Sequence, residues 1–193
     1  VPIGSFSTGG KLLAALFQSV TLRTAGFASF NQDALTEASK LLSNILMFVG
    51  GSSGSTAGGV KTVTMGLVVL SAVSTMRGRR QVTVFRRSIS QQDISNAVSV
   101  ALLVLGLSLF GAAVLTVCDR CSFLNAIYET TSALCTVGLT TGITGTLCAA
   151  SKLILIVFMF FGRVGIMTIG VGFMMGDRAR ERVQYAETKV MIG

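Results

Sequence analysis

The feature that most constrains this chain is an uninterrupted apolar segment from Ile94 to Val117, which contains no charged residue. An α-helix needs about 20 such residues to cross the roughly 30 Å hydrocarbon core of a bilayer. The composition agrees, since 51% of the residues are hydrophobic and only 12% are charged. Long apolar segments in a chain so poor in charge are typical of membrane proteins. We therefore predict an all-α integral membrane protein.

Two shorter apolar segments each lead into a glycine-containing loop. Lys11 to Leu22 precedes Arg23-Thr24-Ala25-Gly26-Phe27, and Phe123 to Cys135 precedes Thr136-Val137-Gly138-Leu139-Thr140. Neither short helix is long enough to span the membrane. A long apolar segment follows each loop, so a unit of short helix, Thr-x-Gly loop and long helix occurs twice. Internal repeats of this kind are common in transport proteins.

The long segments of the two units run from Ala34 to Met76 and from Lys152 to Met175. The first contains the run Gly50-Gly51-Ser52-Ser53-Gly54-Ser55-Thr56-Ala57-Gly58-Gly59. Glycine disfavours a helix by about 1 kcal/mol relative to alanine, so we predict that this helix is broken there. The second contains Arg163, which we expect to face a polar interior because a charge facing lipid costs several kcal/mol. The alternative places Arg163 at a membrane interface.

Basic residues are concentrated in two places, although the net charge of the whole chain is +8. They are Arg77, Arg79, Arg80, Arg86 and Arg87 in one loop, and Arg178, Arg180, Arg182 and Lys189 in the tail. Lys and Arg are retained on the cytoplasmic side of membranes, so we predict that residues 77–93 and 177–193 are cytoplasmic. Both Thr-x-Gly loops then lie on the outer side, and the chain crosses a plasma membrane several times.

The two Thr-x-Gly loops are predicted to be re-entrant pore loops. Irregular backbone at membrane depth is tolerated only where protein or a water-filled cavity surrounds it. Glycine accepts positive φ, which lets consecutive carbonyls point the same way, and a row of carbonyls replaces the hydration shell of a monovalent cation. The predicted filter consists of Thr24, Ala25, Gly26 and Phe27 with Thr136, Val137, Gly138 and Leu139. The alternative is a pair of ordinary outer turns.

Other function classes have little support in the sequence. The glycine-rich run followed by Lys61-Thr62 nearly fits a phosphate-binding loop, but the inserted Val60 breaks the spacing. Cys118 and Cys121 have zinc-knuckle spacing, but no second pair follows and the chain has no His. No nucleophile–base pair is apparent, so we predict no enzyme. We also expect no covalent cofactor and no nucleic-acid partner.

Several of these segments resemble the Trk/Ktr/HKT superfamily of potassium transporters. The residues from Gln18 to Phe27 are similar to its third filter region, and Thr136-Val137-Gly138-Leu139 is similar to the fourth. The run from Met47 to Thr62 resembles the intramembrane gating loop. Phe161-Gly162-Arg163-Val164-Gly165 resembles the last helix, and Glu187 to Gly193 resembles the end of the Ktr branch with its KtrB-type membrane subunit.

The resemblance implies four helix–pore-loop–helix repeats around one ion path, with potassium at the filter carbonyls and sodium as a possible second ion. Residues 1–76 would be part of the third repeat and 94–176 the fourth. The gate would comprise Gly50 to Gly59 with Lys61, and Arg163 would be an electrostatic barrier. The partners implied are membrane lipid, a second copy in a homodimer, and a cytosolic nucleotide-binding regulatory subunit like KtrA.

The predicted function is potassium uptake through this pore, with stimulation by sodium. Two loops do not make a fourfold filter, so we expect the chain to be part of a longer polypeptide or to assemble in several copies. The alternative is a non-conducting membrane scaffold that docks a cytosolic subunit through the basic loop and tail. An ATP-driven pump component is disfavoured by the broken phosphate-loop pattern.

Overall fold

A computed structural model describes residues 7–52, 54, 57–78, 82–84 and 87–164. Within these residues the chain is helical apart from one short antiparallel ribbon. The helices are α1 (Thr8–Thr21), α2 (Glu37–Phe48), α3 (Thr62–Met76), α4 (Gln91–Asp119), α5 (Phe123–Leu134) and α6 (Ala149–Val164). The ribbon pairs β1 (Thr83–Val84) with β2 (Arg87–Ser88), and 3-10 turns occupy Gln32–Ala34 and Ile143–Gly145.

The helices lie close to where the sequence predicts them. The short helices α1 and α5 each end shortly before a Thr-x-Gly loop. The predicted break in the segment from Ala34 to Met76 is present, since α2 ends at Phe48 and α3 begins at Thr62. The predicted span from Lys152 to Met175 is described only as far as Val164, and residues 165–193, including the tail, lie outside the described residues.

The basic loop contains more structure than the sequence predicted. The β1–β2 ribbon is a small departure from an all-α fold, with Thr83 opposite Ser88 and Val84 opposite Arg87. Helix α4 also begins at Gln91, before the apolar segment. Ser90 caps it, because the Ser90 hydroxyl accepts from the Asp93 N–H at 3.1 Å and donates to the Asp93 carboxylate at 2.6 Å.

Helix α4 is the element that most clearly belongs in a membrane. Among the described residues it alone is both long and apolar enough to cross a bilayer, and α3 is a shorter apolar helix. Large apolar side chains on α4 are exposed, including Leu102, Phe110 and Val117. An exposed apolar surface on this scale marks contact with lipid or with other protein.

The short helix α5 forms the centre of the described structure, where it packs against α2, α4 and α6. All residues from Tyr128 to Cys135 are buried. A helix buried on every side belongs to the core of a larger assembly of helices. Close packing depends on two glycines. A Cβ on Gly111 of α4 would lie 2.3 Å from the Phe158 ring, and one on Gly162 of α6 would lie 2.1 Å from the Leu134 carbonyl oxygen.

Buried polar contacts connect the first short-helix unit to α5. The Lys40 ammonium on α2 donates to Asn125 Oδ1 on α5 at 3.0 Å and to Asp33 Oδ1 at 3.2 Å. The Tyr128 hydroxyl on α5 donates to Gln32 Oε1 at 3.2 Å. Buried polar groups that are satisfied in this way fix one relative placement of the helices. The loops after α1 and α5 are thereby held close to each other.

Candidate functional site

The two Thr-x-Gly loops have positive φ at the same two positions. φ is positive at Thr24 (65°) and Gly26 (75°), and again at Thr136 (57°) and Gly138 (87°). The residues between them, Ala25 and Val137, do not have positive φ. Positive φ at alternate positions is the conformation that the predicted row of carbonyls needs. The sequence predicted it for the glycines only, whereas the threonines share it.

Left-handed backbone at a threonine is unusual and costs of order 1–3 kcal/mol. Hydrogen bonds back to the preceding short helix hold both loops in place. The Ala25 and Gly26 amides donate to the Thr21 carbonyl, each at 3.2 Å, and the Val137 amide donates to the Ser132 carbonyl at 2.9 Å. Strain that is maintained in this way is concentrated at functional sites in proteins.

The two loops also meet each other. A Cβ built on Gly26 would lie only 2.1 Å from the Val137 carbonyl oxygen, so only glycine permits this approach. The fold therefore brings together the two predicted filter segments, which are far apart in sequence.

The last carbonyl of each predicted filter segment is hydrogen-bonded within the protein. The Leu139 carbonyl accepts from the Ser132 hydroxyl at 2.5 Å, and the Phe27 carbonyl accepts from the Thr21 hydroxyl at 2.7 Å. Leu139 is buried, while the Phe27 side chain is 71% exposed. These two carbonyls are each held by their own short helix, which sets them apart from the carbonyls of the three preceding residues.

The glycine-rich loop between α2 and α3 is closed at its base and packs against the second Thr-x-Gly loop. The Gly50 amide donates to the Val60 carbonyl at 2.9 Å, and the Val60 amide donates to the Phe48 carbonyl at 3.3 Å. Val60, the residue that breaks the phosphate-loop spacing, is fully buried. The Gly58 amide donates to Thr136 Oγ1 at 2.9 Å.

Three other predicted gate residues, Gly54, Gly59 and Lys61, lie in different surroundings. A Cβ on Gly59 would lie 2.9 Å from the Cys135 sulfur, so the backbone here touches the base of the second loop. Gly54 is exposed with φ of 89°, and Lys61 precedes the first turn of α3. Three of the predicted gate residues lie outside the described residues, namely Ser53, Ser55 and Thr56.

Arg163 lies in the last described turn of α6 and borders a cavity of about 520 Å³. The same cavity is lined by Thr136 and Gly138 of the second loop and by Glu129 of α5. The predicted barrier residue and the second predicted filter segment therefore share one space. This arrangement depends on Gly162, which lets α6 pass against the end of α5.

The sequence interpretation missed Glu129, a buried carboxylate on α5 directly behind the second loop. Its Oε1 accepts from the Thr140 hydroxyl at 2.6 Å, the Thr141 amide at 2.9 Å and the Thr141 hydroxyl at 3.1 Å. Its Oε2 accepts from the Thr144 hydroxyl at 2.9 Å. The available signal was an acidic residue inside a short apolar helix.

The long apolar helix α4 and the exposed apolar side chains on it indicate a helical membrane protein. The chain belongs to the TrkH family of cation transport proteins, whose family model matches residues 1–180. This finding confirms the predicted Trk/Ktr relationship. It also agrees with the prediction that the chain is not an enzyme, because the family is one of transporters.

Individual relatives support the same placement. The chain is 37% identical over 191 residues to the Ktr system potassium uptake protein B of Bacillus subtilis, covering 99% of this chain. It is 36% identical over 188 residues to the potassium/sodium uptake protein NtpJ of Enterococcus hirae, covering 95% of this chain. It is 32% identical over 191 residues to the Ktr system potassium uptake protein B of Vibrio alginolyticus, covering 99% of this chain. In each case the chain spans 42% of the length of the relative.

Proposed function

We propose that this chain forms part of a path that carries potassium ions across a plasma membrane, lined by backbone carbonyls of the two Thr-x-Gly loops. The observation that carries the proposal is the shared backbone of the loops, with positive φ at Thr24, Gly26, Thr136 and Gly138. Two such loops in contact, in a chain of a cation transport family, fit re-entrant pore loops better than outer turns.

In this proposal the filter comprises the eight predicted residues, and their carbonyls have two different roles. The carbonyls of the Thr, central and Gly positions bind the ion. Those of Phe27 and Leu139 anchor the outer end of each segment through their hydrogen bonds to Thr21 and Ser132. Two relatives are named for potassium uptake and one for potassium and sodium uptake. Potassium is therefore the proposed ion, with sodium as a second ion.

The glycine-rich loop is the proposed gate. Its small residues allow it to move, and the Gly58–Thr136 hydrogen bond holds it against one filter segment. Arg163 is the proposed electrostatic barrier, because a fixed positive charge near Thr136 and Gly138 opposes unrestricted cation flow.

A complete path requires more loops than this chain supplies, so we further propose that it acts with two more repeats of the same kind. The remaining proposed partners are a second copy in a homodimer and a cytosolic nucleotide-binding subunit that contacts the basic loop and the tail. In support, some relatives are named as parts of a Ktr system.

The direct test is a chimera in which this chain replaces the matched 42% of the Bacillus subtilis relative. Expressed in bacteria that lack their own potassium uptake systems, it should restore potassium accumulation and growth at low external potassium. A chimera that reaches the membrane without restoring uptake would favour the scaffold alternative.

The filter assignment has its own test in Gly138→Ser. None of the described residues lies within 4 Å of a Cβ at Gly138, so the expected effect arises from its φ of 87° rather than from a clash. A side chain at this φ strains the loop by roughly 1 kcal/mol or more, and potassium-over-sodium selectivity should fall several-fold. The control is Gly145→Ser, because a Cβ there also meets none of the residues that the structure describes, while its φ is not positive. Equal selectivity in the two variants would contradict the filter assignment.

A further inference from the structure

We infer that Glu129 is a positioning residue for the second filter segment, and that ion selectivity depends on its hydrogen bonds to the loop that follows. This inference rests on the proposed function. Glu129 lies on α5, is 5% exposed, and has both carboxylate oxygens occupied by donors from Thr140, Thr141 and Thr144.

The position of these donors determines what Glu129 controls. Thr140 follows Leu139 directly, so the carboxylate fixes the chain where it leaves the filter segment. Ser132, on the same helix, fixes the Leu139 carbonyl. The filter segment is thus bound to α5 on both sides of this junction, and a shift of the outer loop would displace the carbonyls of Val137 and Gly138.

The first unit has a comparable contact made by different chemistry. Gln32 stands at the same separation from Thr24 as Thr144 stands from Thr136. Its side chain is bound to Gln18 of α1, with the Gln18 amide donating to Gln32 Oε1 at 2.6 Å. Both loops are therefore held to their own short helix, one by an amide pair and the other by a carboxylate with four donors.

The carboxylate suits its site because every partner is a donor. Buried Thr141, at 2% exposed, supplies both its amide and its hydroxyl. Removing the carboxylate leaves the buried Thr141 N–H without this acceptor, which is destabilising for the local loop conformation. Glutamine at this position retains one carbonyl oxygen for the same donors, and its amide group donates to the Thr144 hydroxyl instead.

The experiment uses the same chimera and measures the ratio of half-saturating external sodium to potassium at matched amounts in the membrane. Glu129→Ala should lower this ratio about tenfold, whereas Glu129→Gln should stay within about threefold of the parent. Loss of folded protein reduces uptake of both ions and leaves their ratio unchanged, so the ratio separates positioning from stability.

A second pair of variants, with a smaller change, keeps the inference testable if Glu129→Ala does not fold. Thr144→Val removes one donor to Glu129 and should lower the ratio about threefold. Thr146→Val is the matched control in the same loop, because the Thr146 hydroxyl bonds the Ile143 carbonyl and not Glu129. If the unsubstituted chimera carries potassium and the ratio is unchanged in both Glu129→Ala and Thr144→Val, this inference alone is overturned. A parent that carries no potassium overturns the proposed function and this inference with it.

Discussion

Thr136 is the residue at which the second Thr-x-Gly loop meets the glycine-rich loop. Its backbone is left-handed, and its hydroxyl accepts the Gly58 amide at 2.9 Å. The space around Gly58 is filled by this side chain, since a Cβ there would lie 2.6 Å from Thr136 Oγ1. One residue therefore belongs both to the proposed filter and to the contact that holds the proposed gate.

This arrangement predicts different uptake rates for two small substitutions of Thr136. Thr136→Ala removes the acceptor for the Gly58 amide, which costs roughly 1–3 kcal/mol at a partly buried site. We expect the glycine-rich loop to be displaced more readily and the maximal rate of potassium uptake to rise several-fold. Thr136→Ser keeps the hydroxyl and should stay near the parental rate. The rate of rubidium or potassium uptake at saturating concentration is the measurement.

Two outcomes would contradict this interpretation of Thr136. Equal rates for Thr136→Ala and Thr136→Ser would show that the Gly58 hydrogen bond does not restrain the loop. A fall in potassium-over-sodium selectivity in both variants, with no change in rate, would assign Thr136 to the filter alone.

At the scale of the helices, the crossing of α6 over the end of α5 depends on Gly162. A Cβ at this position would lie 2.1 Å from the Leu134 carbonyl oxygen and 3.1 Å from the Thr136 methyl group. The nearest neighbour is backbone, so a larger residue forces the helices apart instead of displacing a flexible side chain. Arg163 follows immediately, so its position beside the cavity depends on the same contact.

We predict that Gly162→Ala destabilises the folded protein by about 1–3 kcal/mol, as overpacking does in other cores. The matched control is Gly106→Ala in α4, where no atom of the described part of the chain lies within 4 Å of a Cβ and alanine favours the helix by up to about 1 kcal/mol. The temperature at which the detergent-solubilised protein aggregates should fall for the first variant and hold or rise for the second. A Gly162→Ala variant as stable as the unsubstituted protein would show that α6 moves aside without a loss of stability.

An element could be predicted from the sequence when the residues that determine it lie within the element itself. Helix α4 follows from an apolar run, and the break between α2 and α3 follows from clustered glycines, because both causes lie within the segment itself. The β1–β2 ribbon was missed, since its strands are only two residues long and carry no alternating pattern. The domain divisions at 76, 93 and 176 remain predictions.

The site was predictable in part for the same reason. Gly26 and Gly138 have no Cβ and therefore accept positive φ, so positive φ was expected there. The Glu129 contacts arise because the loop after the filter folds back over α5, and no spacing rule predicts that return. The contacts of Gly58 with Thr136 and of Gly26 with Val137 join segments far apart in the chain, so only the tertiary fold shows them.

At the scale of the whole molecule, the two units are built on one plan and differ in their surroundings. Helix α5 has α4 and α6 on either side, whereas α1 exposes large apolar side chains such as Leu12, Leu13 and Leu16. Between the units lie polar contacts such as the partly buried hydrogen bond from Lys40 to Asn125. Contact between the two units is what the proposal of one path lined by both loops requires.

A single path also requires both loops to open to the same side of the membrane, and the cysteines offer a test. Cys118 is exposed in the last turn of α4, and Cys148 is exposed just before α6, and the charge distribution predicts that both lie outside. Ser88 is exposed in the β1–β2 ribbon of the basic loop, which is predicted to be inside. In a cysteine-free chimera, each position is restored or introduced as a single cysteine, the last as Ser88→Cys.

We predict that a membrane-impermeant maleimide labels the Cys118 and Cys148 proteins in intact cells and labels the Ser88→Cys protein only after the membrane is opened. Cys135 serves as the control for access, because it is fully buried and should stay unlabelled under both conditions. Labelling of Ser88→Cys in intact cells would show that the topology is the inverse of the predicted one. The Thr-x-Gly loops would then open to the cytoplasm, and the basic loop would lie outside, where a cytosolic regulatory subunit could not contact it.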